Sequence, residues 1–392
     1  AINTSDNSSY LITGGLGALG LSVAESLTKQ GARHLVLTGR RSPSNDAQQK
    51  IQHLETLGAT VSIANADVAD GESVKTLISR FGKDFPKLGG IIHAAGVLDD
   101  GMVTQQNWSR FETVLAPKML GAWHLHQQTE RQHSTQPLDF FITFSSIASL
   151  MGSPGQGNYA AANAFLDGLM TYRRSIGLSG NSINWGPWAD IGMAASAQVE
   201  GRFTGSTGVN ALIPEKAIEA FERTLQENPV QVGVAAMEWD KLLTNLGLTE
   251  SPAYFSHIKI KKDNSSDSDI KKMAEVLLKN LEEVPASERQ QILIDALCDQ
   301  LARVMGFDTP EQIDPQKPLQ ELGLDSLMAV EMRNIVNGFL GRALPATLLF
   351  KYPSLMELSG FLTTELYPNH AAELAEETGE NIEEGNVIDI VD

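Results

Sequence analysis

Between residues 10 and 235 short apolar segments alternate with amphipathic ones, and this alternation restricts the chain to a parallel sheet covered by helices. The strand-like segments are Tyr10 to Thr13, His34 to Thr38, Thr60 to Ala64, Gly90 to His93, Phe140 to Phe144, Asn181 to Trp185 and Val230 to Ala235. Phe140 to Phe144 has the composition of a central strand buried on both faces. Parallel neighbours need long crossovers, and the intervening stretches supply them as helices. The first such helix carries Leu21, Ala24 and Leu27 on one face. The expected fold class is α/β, a Rossmann-like doubly wound parallel sheet.

A second pattern follows the first. From about Lys259 to about Ser268 lysines give way to Asp, Asn and Ser, the composition of a linker. Beyond it the pattern is wholly helical. Ser287 with Gln290 reads as a capping-box start, with Leu293, Leu297 and Leu301 on one face. Another helix begins at Ser326 and carries Met328, Met332, Ile335, Val336 and Phe339 as its apolar stripe. Ser354 with Glu357 caps a last helix bearing Leu355, Leu358 and Leu362. Four short helices with Pro-containing loops describe a small all-α bundle. The expected division is 1–258 for the sheet domain, 259–286 for the linker, 287–367 for the bundle and 368–392 for an acidic tail or docking segment.

Composition narrows the function classes. A formal net charge of −18 argues against nucleic acid as a partner and suits docking to basic patches on other proteins. The lone cysteine, Cys298, allows no intrachain disulfide and fits a reducing, cytoplasmic setting. It lies in a helical apolar pattern and reads as a small core residue. No membrane-spanning apolar run or signal start is visible, and no metal site is expected. The chain starts without Met, as an excised segment of a longer polypeptide would.

Chemistry concentrates at the ends of the strand-like segments. Thr13-Gly14-Gly15-Leu16-Gly17-Ala18-Leu19-Gly20 follows the first strand and opens a helix. Glycines there let the backbone turn sharply and approach a pyrophosphate held at the helix N-terminus. The second strand ends in Thr38-Gly39-Arg40-Arg41. An acid at that point would bind a free ribose 2′-hydroxyl, whereas arginine suits a 2′-phosphate, so NADPH is the expected cofactor. Asp67 and Val68 close the third strand. Asp67 either accepts from an adenine amino group or initiates a turn. The fourth strand ends in His93-Ala94-Ala95-Gly96, where small residues allow close cofactor approach and His93 reads as structural. The fifth ends in Ser145-Ser146, and Tyr159 and Asn163 follow on one helical face. Carbonyl reduction needs a hydride donor, an acid for the alkoxide and a donor to polarise the oxygen. Tyrosine with a lowered pKa can be the acid, serine the donor, and a nearby lysine the group that lowers the tyrosine's pKa.

On these motifs residues 10 to about 240 resemble the short-chain dehydrogenase/reductase fold in its polyketide-synthase ketoreductase branch. Tyr159-Ala160-Ala161-Ala162-Asn163 carries asparagine where ordinary members have lysine, an exchange for which that branch is known. The resemblance assigns the displaced lysine to Lys118, in Ala116-Pro117-Lys118 before Gly121-Ala122-Trp123. Gly155-Gln156-Gly157-Asn158-Tyr159 likewise resembles the family's segment around its tyrosine. The implied catalytic set is Tyr159, Ser146, Lys118 and Asn163. The implied cofactor contacts are Thr13, Gly14, Gly15, Leu16, Gly17, Leu19, Arg40, Arg41, Asp67, Val68, Ala94, Ala95 and Gly96. Leu98-Asp99-Asp100 matches the B-type signature, and Met151 stands where A-type enzymes place tryptophan, implying a (3R)-β-hydroxyacyl product. Ala161 stands where enzymes that select epimerised α-methyl substrates tend to carry proline, implying no epimer selection. Taken alone, Asp99 and Asp100 would read as a turn. Aromatics in Asn184-Trp185-Gly186-Pro187-Trp188 could flank a pantetheine arm or pack the core edge, and Gly192 to Gly208 suits a mobile lid. The branch usually has a truncated structural subdomain upstream; here the catalytic sheet starts almost at residue 1, so that partner is expected either to lie on a missing upstream chain or to have been removed.

The bundle resembles an acyl carrier domain over about residues 288 to 366. Leu322-Gly323-Leu324-Asp325-Ser326-Leu327 matches the phosphopantetheine attachment motif, and Phe350-Lys351-Tyr352-Pro353-Ser354 leads into the last helix as in carriers. Ser326 would bear covalent 4′-phosphopantetheine at a helix N-terminus, with Asp325 and Glu331 on an acidic docking surface. The implied partners are the acyl chain on its own carrier, neighbouring synthase domains, a phosphopantetheinyl transferase and a downstream module reached through the acidic tail. Membranes and nucleic acid are not expected partners. Two other readings remain open: a non-catalytic cofactor-binding carrier scaffold, and the equivalent segment of a fatty acid synthase.

Overall fold

In the computed structural model, residues 4–131, 137–153, 155–189, 208–245, 253–256, 265–305, 307, 309–324, 326–341, 344 and 348–378 are described. They fall into two compact units, Ala1–Glu238 and Trp239–Asp392.

The first unit runs β1 (Ser8–Thr13), α1 (Ala18–Lys29), β2 (His34–Gly39), α2 (Asn45–Thr56), β3 (Thr60–Asn65), α3 (Gly71–Ile78), β4 (Lys87–His93), α4 (Trp108–Leu115), α5 (Gly121–Glu130), β5 (Phe140–Ser146), α6 (Ala148–Met151), α7 (Gly157–Ser175), β6 (Asn181–Trp185), β7 (Val209–Asn210), α8 (Pro214–Glu227), β8 (Gln231–Val234) and β9 (Ala236–Met237). The expected strands are all present, within a few residues of the expected ends. They form a parallel seven-stranded sheet in the order β3-β2-β1-β4-β5-β6-β8. The short antiparallel pair β7–β9 was not legible as strand in the sequence.

Alternation of side chains builds the two cores. Tyr10, Ile12, Leu35, Leu37, Ile92, Phe140, Ile142 and Phe144 face the helices α1, α2 and α8. Leu11, Val36, Ile91 and Phe141 face the opposite layer with α3, α5 and α7. Leu21, Ala24 and Leu27 of α1 are buried, as their spacing predicts. Each of the two buried leucines contributes about 2 kcal/mol, and the Ala24 methyl less than half of that. Strand order reverses between β1 and β4, so a crevice opens at the carboxyl ends of these strands. Trp185 and Trp188 pack edge to face at 5.1 Å inside the first core, so these aromatics pack the core edge rather than flank an arm. Of the expected lid, all but Gly208 lies outside the described residues.

The second unit contains α9 (Trp239–Asn245), α10 (Ser265–Glu283), α11 (Ala286–Met305), α12 (Ser326–Leu340), α13 (Leu348–Lys351), α14 (Leu355–Leu366) and α15 (His370–Thr378). Leu293, Leu297, Leu301, Met332, Val336, Phe339, Leu355, Leu358 and Leu362 are buried together, as the stripes predict. Cys298 joins them, and burial pushes its thiol pKa up, which fits an inert core residue.

Three expectations need correction. The span 259–286 is not wholly linker, because α10 occupies most of it and buries Ala274, Leu277 and Leu281 in the second core. Helical spacing of those three outweighs the polar composition of the stretch. The capping box at Ser287 does not form: its helix starts at Ala286, the Ser287 amide donates to Glu377, and Gln290 reaches Met356 and Ser359 of α14. The acidic tail begins as helix α15, where Glu373 pairs with Arg289, itself seated over Tyr367. Residues 379–392 lie outside the described residues. By contrast, Ser354 caps α14 by accepting from the Glu357 amide at 3.2 Å, as expected. No helix among the described residues is long and apolar enough to cross a membrane.

Candidate active site

The glycine turn after β1 is built for close approach. Gly14 has φ +66°, and a Cβ there would lie 2.8 Å from the Ala94 carbonyl oxygen. A Cβ on Gly15 would meet the Ile12 carbonyl at 2.5 Å, so the segment accepts no side chain at either position. The turn delivers Gly17 as the N-cap of α1, with no side-chain cap and no acid in the first turn. The N-terminal amides of that helix are therefore available to an anion, which fits the pyrophosphate of a dinucleotide. Leu16 and Leu19 pack partly against the core. Thr13 places its hydroxyl 2.7 Å from His93 Nδ1 and is fully buried, so its side chain is spent on the core. Arg40 and Arg41 leave the end of β2 exposed on the same side of the sheet. Asp67 Oδ1 accepts from the Ala69 amide at 3.0 Å, so the turn reading of Asp67 holds, and Val68 is buried.

His93 is structural. Its Nε2 lies 3.2 Å from the Lys118 carbonyl, and burial, aided by the Lys118 charge, lowers its pKa to about 3.

Lys118 sits in a π-helical turn, Ala116–Leu120, inserted between α4 and α5 after Pro117. Such turns re-aim side chains at functional sites. The turn sends Lys118 inward, where it is 3% exposed and its Nζ donates to the Phe144 carbonyl at 2.9 Å. The same Nζ lies 5.2 Å from the centroid of the Tyr159 ring. Gly96 permits this passage, since a Cβ there would come within 2.9 Å of Lys118 Cε. Ala94 and Ala95, at the end of β4, pack partly into the cores on either side of the sheet.

Tyr159 stands in the first turn of α7, packed with Val114, Ala148 and Ala162. Ser146 ends β5, half-buried, and its Oγ accepts from the Ala148 amide at 3.2 Å. Asn163 donates to the Tyr159 carbonyl at 2.8 Å, while its buried Oδ1 has no partner among the described residues. Burial raises the Tyr159 pKa, an effect that Asn163 and Ser146 oppose and the Asp100 charge reinforces. Burial lowers the Lys118 pKa to about 7, opposed by the charge of Asp167. The expectation of a lowered tyrosine pKa is thus reversed: desolvation disfavours both charged forms, and for Tyr159 it outweighs the hydrogen bonds of Asn163 and Ser146. Tyr159 is held as a neutral phenol, the form that can give a proton.

A buried hub beneath these residues was not anticipated. The Asp167 carboxylate accepts from Ser149 at 2.7 Å, from Asn184 at 2.9 Å and from Ser182. Asn184 also donates to Ser145 at 3.0 Å, and Ser145 donates to the Asn163 carbonyl at 3.2 Å. Tyr159, Asn163 and Asp167 fall at i, i+4 and i+8, so the shared face was visible in the sequence although the partners were not.

Leu98, partly buried, packs beside Tyr159, and Asp99 and Asp100 approach the start of α7. In the second unit Ser326 opens α12, as expected. Asp325 lies outside the described residues, as do the side chains of Ser326 and Glu331.

Residues 8–190 match the KR domain family and residues 295–362 match the phosphopantetheine attachment site family. The chain is 35% identical over 379 residues to the phenolphthiocerol synthesis polyketide synthase type I Pks15/1 of Mycobacterium marinum, covering 95% of this chain and 18% of that protein. It is 36% identical over 363 residues to the mycoketide-CoA synthase of Mycobacterium tuberculosis, covering 91% of this chain and 9% of that protein. The chain thus spans less than a quarter of the curated relatives it matches. Among solved structures, A-type ketoreductases from a modular polyketide synthase align with TM-score 0.60 at 37% identity, over 64% of this chain and 52% of that one. The first ketoreductase of the tylosin synthase aligns with TM-score 0.54 at 37% identity, over 60% of this chain and 50% of that one. A KR domain followed by a phosphopantetheine attachment domain is therefore present, its homologues are polyketide synthases, and its structural neighbours are polyketide-synthase ketoreductases.

Proposed function

From the premise that this chain joins a KR domain to a phosphopantetheine attachment site, we propose that it reduces a β-ketoacyl thioester to a (3R)-β-hydroxyacyl thioester within a polyketide synthase module. In this reading the cofactor is NADPH and the acyl chain rides on phosphopantetheine at Ser326. One observation carries the reading: Lys118 lies 5.2 Å from the Tyr159 ring although the two residues are far apart in sequence.

A bound nicotinamide dinucleotide supplies the hydride for the C3 ketone. The glycine turn and the open N-terminus of α1 would hold its pyrophosphate, and Arg40 with Arg41 a 2′-phosphate, which favours NADPH over NADH. Leu16, Leu19, Val68, Ala94, Ala95 and Gly96 would line its path, with the turn at Asp67 beside it. Ser146 and Tyr159 donate to the ketone oxygen and polarise it. Tyr159 then gives its proton to the alkoxide. The Lys118 ammonium offsets the phenolate as it forms, because a charge at that range acts strongly in a dry site. Asn163, whose Oδ1 has no partner among the described residues, is placed to accept from water or a backbone donor that completes the site. Leu98, Asp99 and Asp100 support the (3R) outcome, and Ala161 a lack of epimer selection.

The proposed partners are the chain's own carrier, neighbouring synthase domains, a phosphopantetheinyl transferase and a downstream module through the acidic tail. The proposed setting is the cytoplasm. One relative, 36% identical over 384 residues, bears a name that marks it inactive, so a cofactor-binding scaffold is the second reading. Incubating the chain with a β-ketoacyl thioester of a pantetheine mimic separates them. Oxidation of NADPH in preference to NADH is expected, with a loss of roughly 10²–10⁴-fold in Tyr159→Phe. No oxidation, or an unchanged rate in that variant, overturns the catalytic reading.

A further inference from the structure

The loop bearing Leu98, Asp99 and Asp100 is fastened to the helix of Tyr159 through two residues that have no role so far. Arg110, on α4, places Nε 3.1 Å from Asp99 Oδ1. Asn158, fully buried at the start of α7, donates through Nδ2 to the Asp99 carbonyl at 2.8 Å and to the Arg110 carbonyl at 3.4 Å. Its Oδ1 accepts from the Tyr159 backbone amide at 2.8 Å. One amide group therefore grips the loop at one end and the tyrosine's own peptide at the other. Gln156 donates to Asp100 at 3.0 Å, and the Gly101 amide donates to the Gly155 carbonyl at 2.8 Å. A Cβ on Gly101 would fall 1.9 Å from an Arg110 guanidinium nitrogen, so loop and guanidinium approach as closely as glycine allows.

We infer that Arg110 and Asn158 are positioning residues, a clamp that fixes Leu98–Asp100 against the Tyr159 phenol and thereby selects which face of the ketone receives hydride. This rests on the reading of Tyr159 as proton donor and of Leu98–Asp100 as the stereocontrol loop. The two faces of a ketone differ only in how the flanking chain is turned, and the same phenol can protonate either alkoxide. The wall beside the phenol must then exclude the wrong pose, and displacing a wall by about 1 Å can cost roughly 100-fold. Neither clamp residue need touch the substrate to have this effect.

The full chain is tested with NADPH and the β-ketoacyl thioester of a pantetheine mimic, measuring the ratio of the two alcohols together with kcat and KM. Asn158→Asp keeps the acceptor for the Tyr159 amide and loses the donor to Asp99, and Arg110→Gln removes the ion pair. Each is expected to lower the alcohol ratio roughly tenfold or more, with KM rising further than kcat falls. Reduced kcat with an unchanged ratio in both variants overturns the clamp and leaves the pair a structural role. If buried Asn158→Asp fails to fold, the partly exposed Arg110 carries the test alone. The double variant Asp99→Asn/Asp100→Asn separates the two levels. An unchanged ratio there sinks the stereocontrol reading itself. A shifted ratio there, with none in the clamp variants, sinks only the clamp.

Discussion

The sheet unit and the helical unit put their chemistry together in opposite ways. In the sheet unit the proposed reacting groups come from separate elements: Lys118 from a π-helical turn, Ser146 from the end of β5 and Tyr159 from α7. All lie at one end of a parallel sheet, and burial shifts the pKa values of Lys118 and Tyr159 away from their ordinary range. In the helical unit the proposed attachment point is one serine at the start of one helix, within a contiguous motif. A covalent attachment point needs a local backbone form and an enzyme to read it. A proton-transfer site needs several groups at fixed distances in a dry place, which only long-range packing supplies.

The sharpest division of the two units comes from Ser326→Ala. Loading with phosphopantetheine, followed by intact mass, should be abolished outright, while reduction of a free thioester mimic continues at the parent rate. A fall in that second activity would mean that the units are not functionally separable.

The next effect is on pH. Burial holds the Lys118 pKa at about 7, below its ordinary value, so the group is mostly ammonium below that pH and mostly neutral above it. A reaction that uses the ammonium should therefore lose kcat/KM as pH rises through about 7, approaching tenfold per pH unit. A flat profile to pH 9 would remove Lys118 from the mechanism. Phosphopantetheine loading at Ser326 should show no limb from this group.

Smaller effects compare what holds each unit together. In the helical unit Leu297→Ala should cost about 3 kcal/mol by opening a cavity in an apolar core, read from chemical denaturation. In the sheet unit Asp167→Ala should cost a similar amount for a different reason, removing the buried carboxylate that accepts from Ser149, Ser182 and Asn184. Only the second should also slow reduction, because Asn184 links the hub to Ser145 and so to Asn163.

The smallest comparison lies within the helical unit. Ser354→Ala should destabilise by about 1 kcal/mol through loss of its cap, and Ser287→Ala by far less. Both serines have the same spacing to a Glu or Gln three residues on, yet only Ser354 caps its helix. The Ser287 pattern is overridden because Gln290 turns to α14 and the helix begins at Ala286, choices set by neighbours distant in sequence.

Strand periodicity, the glycine turn, the apolar stripes and the Ser326 motif were legible in the residues alone, since each depends on neighbours within a few positions. Asparagine in place of the usual lysine pointed to Lys118 only through family resemblance, because nothing local to Lys118 marks it. Tertiary structure alone decided that Ala274, Leu277 and Leu281 are core rather than linker, and that Arg110 and Asn158 hold the loop beside Tyr159. It also reversed the expected sign for the phenol. The physical reason is the same throughout. Periodicity and turn chemistry are short-range and written in sequence, whereas desolvation and charge pairing depend on which distant segments close over a group, and that is settled only when the sheet and its helices pack.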